Sequence, residues 1–324
     1  MSKGSNIKFY GFIAASLIIS SSYADNSITG APDWSTPKRG IVLESKNTNK
    51  NNDKAIFSIV GSEQNYTQQQ IDDKFNAPDW FPNRHGKMPD IVKSGKAPKV
   101  WACASCHLTS GVGHPESASL AGLDSMYLQR QMKAFADGSR LDYSGNMNRM
   151  AKGLNNAEIK EVSDWFSALP PKKVTKVVET AQVLKTYIDD TRMRLVAQPY
   201  VMEAIGNRIV EIPDHPLEVN KRNPDSIFVS YVPQGSLIRG KVLVSTGNAK
   251  TPPCASCHGV DLSGSAITPS IVGNFASYTV RQLHGFKGKT RNGGQAVMMQ
   301  SVVNGLTDED IIDISAYLTS LSVN

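Results

Sequence analysis

The chain has 324 residues, of which 40% are hydrophobic and 20% charged, and a formal net charge of +6. That length allows two or three domains with packed cores, and no basic cluster interleaved with aromatics is present, so a nucleic-acid surface is not indicated. All four cysteines fall in two short runs, which excludes a disulfide-stapled scaffold.

Residues 1–24 read as a secretory signal. Lys3 and Lys8 give a positive start, Phe9 to Ile19 form an apolar run, and Ser22-Tyr23-Ala24 is a small-x-small cleavage site. The run is interrupted by Gly11 and Ser16 and falls short of the ~20 residues a bilayer span needs, so cleavage after Ala24 is expected rather than an uncleaved anchor. No transmembrane span is expected in the mature protein. Cleavage removes two lysines and no acids, leaving a net charge of +4.

Residues 25–85 form an N-terminal extension. Ser45 to Lys54 is polar and Asn-rich and is expected to be mobile. An Ala-Pro-Asp-Trp tetrapeptide occurs at Ala31–Trp34 and again at Ala77–Trp80. Pro-Asp favours turns, and each tryptophan is either an anchor for the extension or part of a chance recurrence. His85, in a polar turn, reads as a solvated side chain.

Residues 86–170 form a first unit. Met88-Pro89-Asp90 suits the start of a short helix. Cys103-Ala104-Ser105-Cys106-His107 is a C-x-x-C-H run, the attachment signal of a c-type haem. Two thiols add to the porphyrin vinyl groups, and the adjoining histidine faces the iron. Zinc usually wants four ligands and each run supplies three; a redox dithiol gives no reason for the histidine. A loop from Gly111 to Pro115 follows, and His114 within it reads as a loop histidine. Tyr127, Gln131 and Phe135, four apart, share one helix face. The last helix opens on Asn155-x-x-Glu158, a capping signature, buries Ile159, Val162, Phe166 and Leu169, and stops at Pro170-Pro171.

Residues 171–234 are an insertion. Val174 to Val178, Arg192 to Val196, Arg208 to Ile212 and Ile227 to Val232 are β-branched or alternating runs that read as strands of a small sheet. The insertion holds no recognisable catalytic cluster and reads as a spacer or a docking surface.

Residues 235–324 repeat the first unit. A shift of 151 places Cys103 on Cys254, Gly122 on Gly273, Tyr127 on Tyr278, Gln131 on Gln282, Phe135 on Phe286 and Arg140 on Arg291. After one inserted residue, a shift of 152 places Met147 on Met299, Leu154 on Leu306 and Trp165 on Tyr317. The second attachment run is Cys254, Cys257 and His258, so two covalently bound haem c groups are expected. Thr307-x-x-Asp310 opens the last helix, with Ile311, Ile314, Leu318 and Leu321 as its buried stripe. His284 aligns with Lys133 and is expected to face solvent.

The order of C-x-x-C-H, Gly-ended loop, Tyr/Gln/Phe helix, methionine and capped terminal helix resembles class I cytochrome c in the tandem dihaem form of bacterial periplasms. The resemblance covers residues 88–170 and 236–322. It implies a mainly α fold of two cytochrome c domains separated by the inserted segment. It also implies a backbone carbonyl near Ala118 or Pro269 bonded to each ligand histidine, and a close crossing at Gly240 under Tyr317. The implied location is the periplasm, and the implied role is electron transfer between redox proteins, a donor dehydrogenase and an acceptor cytochrome or oxidase. Each unit offers two methionines, and only Met147 and Met299 share a register; a thioether suits haem iron. The expected iron ligands are therefore His107 with Met147 and His258 with Met299, and no catalytic residue is assigned. Three classes stay open: an electron carrier, a dihaem enzyme of peroxidase or thiosulfate-oxidising type, and the cytochrome subunit of a dehydrogenase complex.

Overall fold

A computed structural model describes residues 30–36, 55–189, 191–265 and 267–323. The expected signal, its cleavage point and the Ser45 to Lys54 run lie outside the described residues. Among the described residues no helix is long and apolar enough to cross a membrane.

The extension folds as a short antiparallel pair, β1 (Ile56–Phe57) and β2 (Tyr66–Thr67), followed by α1 (Gln68–Asp72). Both repeated tryptophans are anchors. Trp80 is 1% exposed, packs with Ile59, Ile71 and Phe81, and donates its indole N–H to the Lys221 carbonyl at 2.8 Å. Trp34 packs on the core of the second unit, and its carbonyl accepts from Arg194 at 2.7 Å. His85 departs from the solvated reading. Its side chain is covered by the edge-on Trp165 ring at 5.6 Å, and its Nε2 lies 3.1 Å from Asp79.

The first unit comprises α2 (Asp90–Lys93), α3 (Ala104–His107), α4 (Ser125–Asp137), α5 (Asn146–Ala151) and α6 (Asn156–Ser167). Asp124 caps α4 by accepting the Tyr127 N–H at 2.9 Å, and Gly138 ends it in the left-handed region. Asn155 and Glu158 form the expected capping box on α6. Its stripe of Val162, Phe166 and the following Leu169 packs against Ile91, Val92, Ala104 and Tyr127.

The insertion supplies β3 (Thr175–Glu179), β4 (Gln182–Leu184), β5 (Thr186–Ile188), β6 (Arg194–Val196), β7 (Met202–Ala204), β8 (Val210–Pro213), α7 (Pro216–Asn220) and β9 (Phe228–Val232). The main sheet has the order β3-β9-β8, with β9 parallel to β3 and antiparallel to β8. Two separate antiparallel pairs, β4 with β7 and β5 with β6, accompany it. The four expected runs overlap β3, β6, β8 and β9. Three-residue strands such as β4 and β7 carry too little alternation to be read from sequence.

The second unit comprises α8 (Ser236–Thr246), α9 (Ala255–His258), α10 (Ala276–Lys287), α11 (Ala296–Val303) and α12 (Asp308–Ser320). Gly240 is where α8 meets α12. A Cβ there would stand 2.0 Å from the Asp313 carbonyl oxygen and 2.8 Å from the Tyr317 Cβ, so only glycine permits the crossing. His284 on α10 is 6% exposed, against the solvent-facing expectation. Its counterpart Lys133 is exposed. The His284 Nε2 lies 4.0 Å from Asp308 at the start of α12.

The insertion packs against both units. Val174 and Phe228 share a cluster with Val112 of the first unit and Phe275 of the second. Phe275 stands where Asp124 stands in the first copy, so α10 lacks a capping side chain of its own. Glu211 of β8 supplies it. This buried carboxylate accepts the Ala276 N–H at 3.1 Å, the Ser277 N–H at 3.2 Å and the hydroxyls of Ser277 and Ser230 at 2.5 and 2.6 Å. Glu179 likewise accepts the Leu237 N–H at the start of α8 at 2.7 Å. Two helices of the second unit are thus capped by carboxylates of the insertion.

Replacing Glu211 by alanine strands buried N–H donors and should lower stability by about 1–3 kcal/mol, measured by urea unfolding. Burial holds the Glu211 carboxyl above the ordinary glutamate range, against the donors that favour its charged form. The folded state therefore binds that proton more tightly than the unfolded chain. Its contribution to stability should be full below the ordinary glutamate pKa and should be lost as pH rises through the raised value. Glu211→Gln should remove this pH dependence in a thermal-melt series.

Candidate haem sites

Each attachment run is held on one short helix. Cys103 and Cys254 stand just before α3 and α9, and His107 and His258 close those helices, each 7% exposed. The His107 Nδ1 donates to the Ala118 carbonyl at 2.9 Å, and the His258 Nδ1 to the Pro269 carbonyl at 2.8 Å. A carbonyl can only accept, so the proton sits on Nδ1 and the Nε2 lone pair is left for a metal. Burial pushes the His107 imidazole down to about 4, with the Ala118 carbonyl pulling the other way, and burial lowers His258 in the same sense. Both rings are neutral at pH 7, which is the ligating form.

Glycine makes this bond possible. The Gly113 N–H closes on the His107 carbonyl at 3.0 Å, and the Gly264 N–H on the His258 carbonyl at 2.8 Å. Both residues have φ in the left-handed region, at +65° and +87°. A Cβ on Gly113 would lie 2.5 Å from the Ala118 oxygen, and one on Gly264 would lie 2.5 Å from the Pro269 carbonyl carbon. The loop can return its carbonyl to the histidine only because these positions carry no side chain.

The four thiols are unbridged. Burial drives Cys103 up to about 12 and Cys254 up to about 11, the opposite of the low-pKa thiolate of a redox dithiol. Met147 in α5 and Met299 in α11 are both half-buried. Met150 is 6% exposed and belongs to the core, and Met298 is 52% exposed. In the first unit Asp142 accepts the Met147 N–H at 3.2 Å, and its charge acts on the His107 ring. The methionine loop and the histidine thus share a neighbour. In the second unit Cys254 and Met299 pack on the same core cluster. In each unit two cysteines, a neutral histidine with one free nitrogen and a half-buried thioether fit a covalently attached haem.

The two units meet through their Tyr/Gln/Phe helices. Arg140 reaches its own Gln131 at 2.8 Å and, across the contact, Gln282 at 2.7 Å and the Tyr278 hydroxyl at 3.3 Å. Arg291 reaches its own Gln282 at 3.2 Å and, across the contact, the Tyr127 hydroxyl at 2.8 Å and Gln131 at 3.0 Å. The backbones of Arg140 and Arg291 form an antiparallel bridge beside it. The repeat register already paired these arginines in sequence, but only the contact between units gives them a role.

The cytochrome c family profile matches residues 239–322. Cytochrome c4 of Pseudomonas aeruginosa is 32% identical over 228 residues, covering 69% of this chain and 85% of that protein. The chain belongs to the cytochrome c family. Within that family, cytochrome c-554(548) of Halomonas halodenitrificans is 39% identical over 77 residues, 24% of this chain and 93% of that protein. The thiosulfate dehydrogenase electron acceptor of Thiomonas intermedia is 24% identical, covering 69% of this chain and 80% of that protein. With two attachment runs, this cytochrome c is a dihaem electron-transfer protein, mainly α, with small sheets in its insertion.

Gly113→Ala and Gly264→Ala should each displace the carbonyl that holds one histidine. Backbone strain of this kind costs about 1–3 kcal/mol, read by thermal melting, and the reduction potential of that haem alone should shift in a redox titration.

Proposed function

We propose that Cys103, Cys106 and His107 hold one haem with Met147 as its sixth ligand, and that Cys254, Cys257 and His258 hold the other with Met299. The carrying observation is that one donor set occurs twice at one register, with both methionines half-buried in equivalent helices. When bound, haem supplies a one-electron couple at each site. The chain's own part is to keep each histidine neutral and oriented and to offer a thioether beside it, so that with both bound the iron would have no position left for substrate. This supports a carrier rather than a peroxidase or a thiosulfate-oxidising enzyme.

In this reading residues 86–170 and 235–324 are the haem units, residues 171–234 brace the second unit, and residues 25–85 follow a signal cleaved after Ala24 that delivers the protein to the periplasm. The protein passes single electrons from a dehydrogenase to a respiratory cytochrome or oxidase. The relative named as the electron acceptor of a thiosulfate dehydrogenase supports a dehydrogenase as donor.

Met147→Ala and Met299→Ala should each abolish the methionine–iron spectral signature of one haem. Met150→Ala should keep both signatures and cost about 2–5 kcal/mol as a core truncation. The carrier role is checked by giving the reduced protein hydrogen peroxide and the oxidised protein thiosulfate. Slow stoichiometric reaction or none is expected; multiple turnovers with either would overturn it.

A further inference from the structure

The arginine contact between the units continues into the methionine loops. Asn148, next to Met147, donates its side-chain amide to the Arg140 carbonyl at 2.7 Å and to the Phe135 carbonyl at 2.8 Å. Gln300, next to Met299, donates its amide to the Arg291 carbonyl at 3.3 Å. Asn148 and Gln300 occupy the same place in the two copies. Each methionine loop is therefore tied to the backbone of an arginine whose guanidinium is bonded to the other unit's helix.

The wiring is crossed. Tyr127 lies in the first unit, yet its hydroxyl bonds to Arg291, whose carbonyl holds the loop of Met299. Tyr278 lies in the second unit, yet its hydroxyl bonds to Arg140, whose carbonyl holds the loop of Met147. Arg140 is 7% exposed, so water offers it little alternative.

We infer that Arg140 and Arg291 are positioning residues for the axial methionines, each guanidinium held by the opposite unit, so that the sixth ligand of each iron is secured in part by the other haem unit. This rests on Met147 and Met299 being the sixth ligands. Its consequence is reciprocal coupling: loosening the helix face of one unit weakens the methionine bond of the other. A thioether favours the reduced iron relative to a nitrogen ligand, so a loosened methionine lowers the potential of that haem.

The test places Tyr127→Phe in a Met147→Ala background of the full, haem-loaded chain, where only the second haem retains a methionine signature. Phenylalanine keeps the ring and removes only the hydroxyl. Imidazole titration of the oxidised protein should then displace Met299 at a concentration about tenfold or more lower than in the Met147→Ala parent, the effect of one hydrogen bond to a charged group. A redox titration should show a lower potential at that haem. Tyr278→Phe in the Met299→Ala background should do the same to Met147. In the opposite pairings, Tyr127→Phe with Met299→Ala and Tyr278→Phe with Met147→Ala, displacement should be unchanged. Effects confined to the unit that carries the mutation, or no effect in any pairing, would overturn the crossed coupling while leaving the ligand assignment intact. Retention of both methionine signatures in a parent Met→Ala variant would overturn the assignment and the coupling together.

Discussion

Two guanidinium groups meet where the haem units touch, and the oxygens they bond to are neutral: Tyr127, Gln131, Tyr278 and Gln282. Burying a charge costs several kcal/mol unless its hydrogen bonds are nearly complete. Burial, and then the Arg140 charge beside it, hold Arg291 below the ordinary guanidinium range. A contact of this kind tolerates little rotation, because turning one unit against the other strands a buried cation. The relative placement of the two haem sites is therefore specified by polar geometry rather than by a flexible linker, and an electron carrier with two sites depends on that placement.

Contacts of the second unit with the rest of the chain add a second constraint of the same character. Buried Arg281 of α10 donates to the Ser35 carbonyl of the extension and to the Pro115 carbonyl of the first unit. Glu211 and Glu179 cap helices preceded by Phe275 and Gly235, residues with no capping side chain. The first copy keeps its own cap at Asp124, and the second copy has moved that function onto another part of the chain. The two units look alike in sequence, but the second is the one that depends on the insertion for its helix ends.

Much of this was legible in the chain. The paired C-x-x-C-H runs, the 151-residue register, the capping boxes at Asn155 and Thr307 and the crossing at Gly240 are local signals, because spacing along a helix or a covalent attachment site does not depend on what packs nearby. The histidine–carbonyl bond followed from the family resemblance, and the structure adds the reason it can form, which is the left-handed glycine at positions 113 and 264. His85 and His284 were misread for a common cause. Burial is decided by tertiary packing, as the Trp165 ring over His85 shows, and no window around either residue contains that information.

The sequence by itself determined the chemistry on offer: two C-x-x-C-H runs, which methionines share a register, and which helices bury which face. Only the tertiary structure decided what joins the copies. Arg140 and Arg291 are aligned in sequence, yet alignment does not say that each bonds across to the other unit's tyrosine and glutamine. Glu211 gave no signal as a helix cap because it lies 65 residues from the N–H it accepts. The physical reason is that caps and buried cations need a partner at hydrogen-bond distance but not at any fixed separation along the chain.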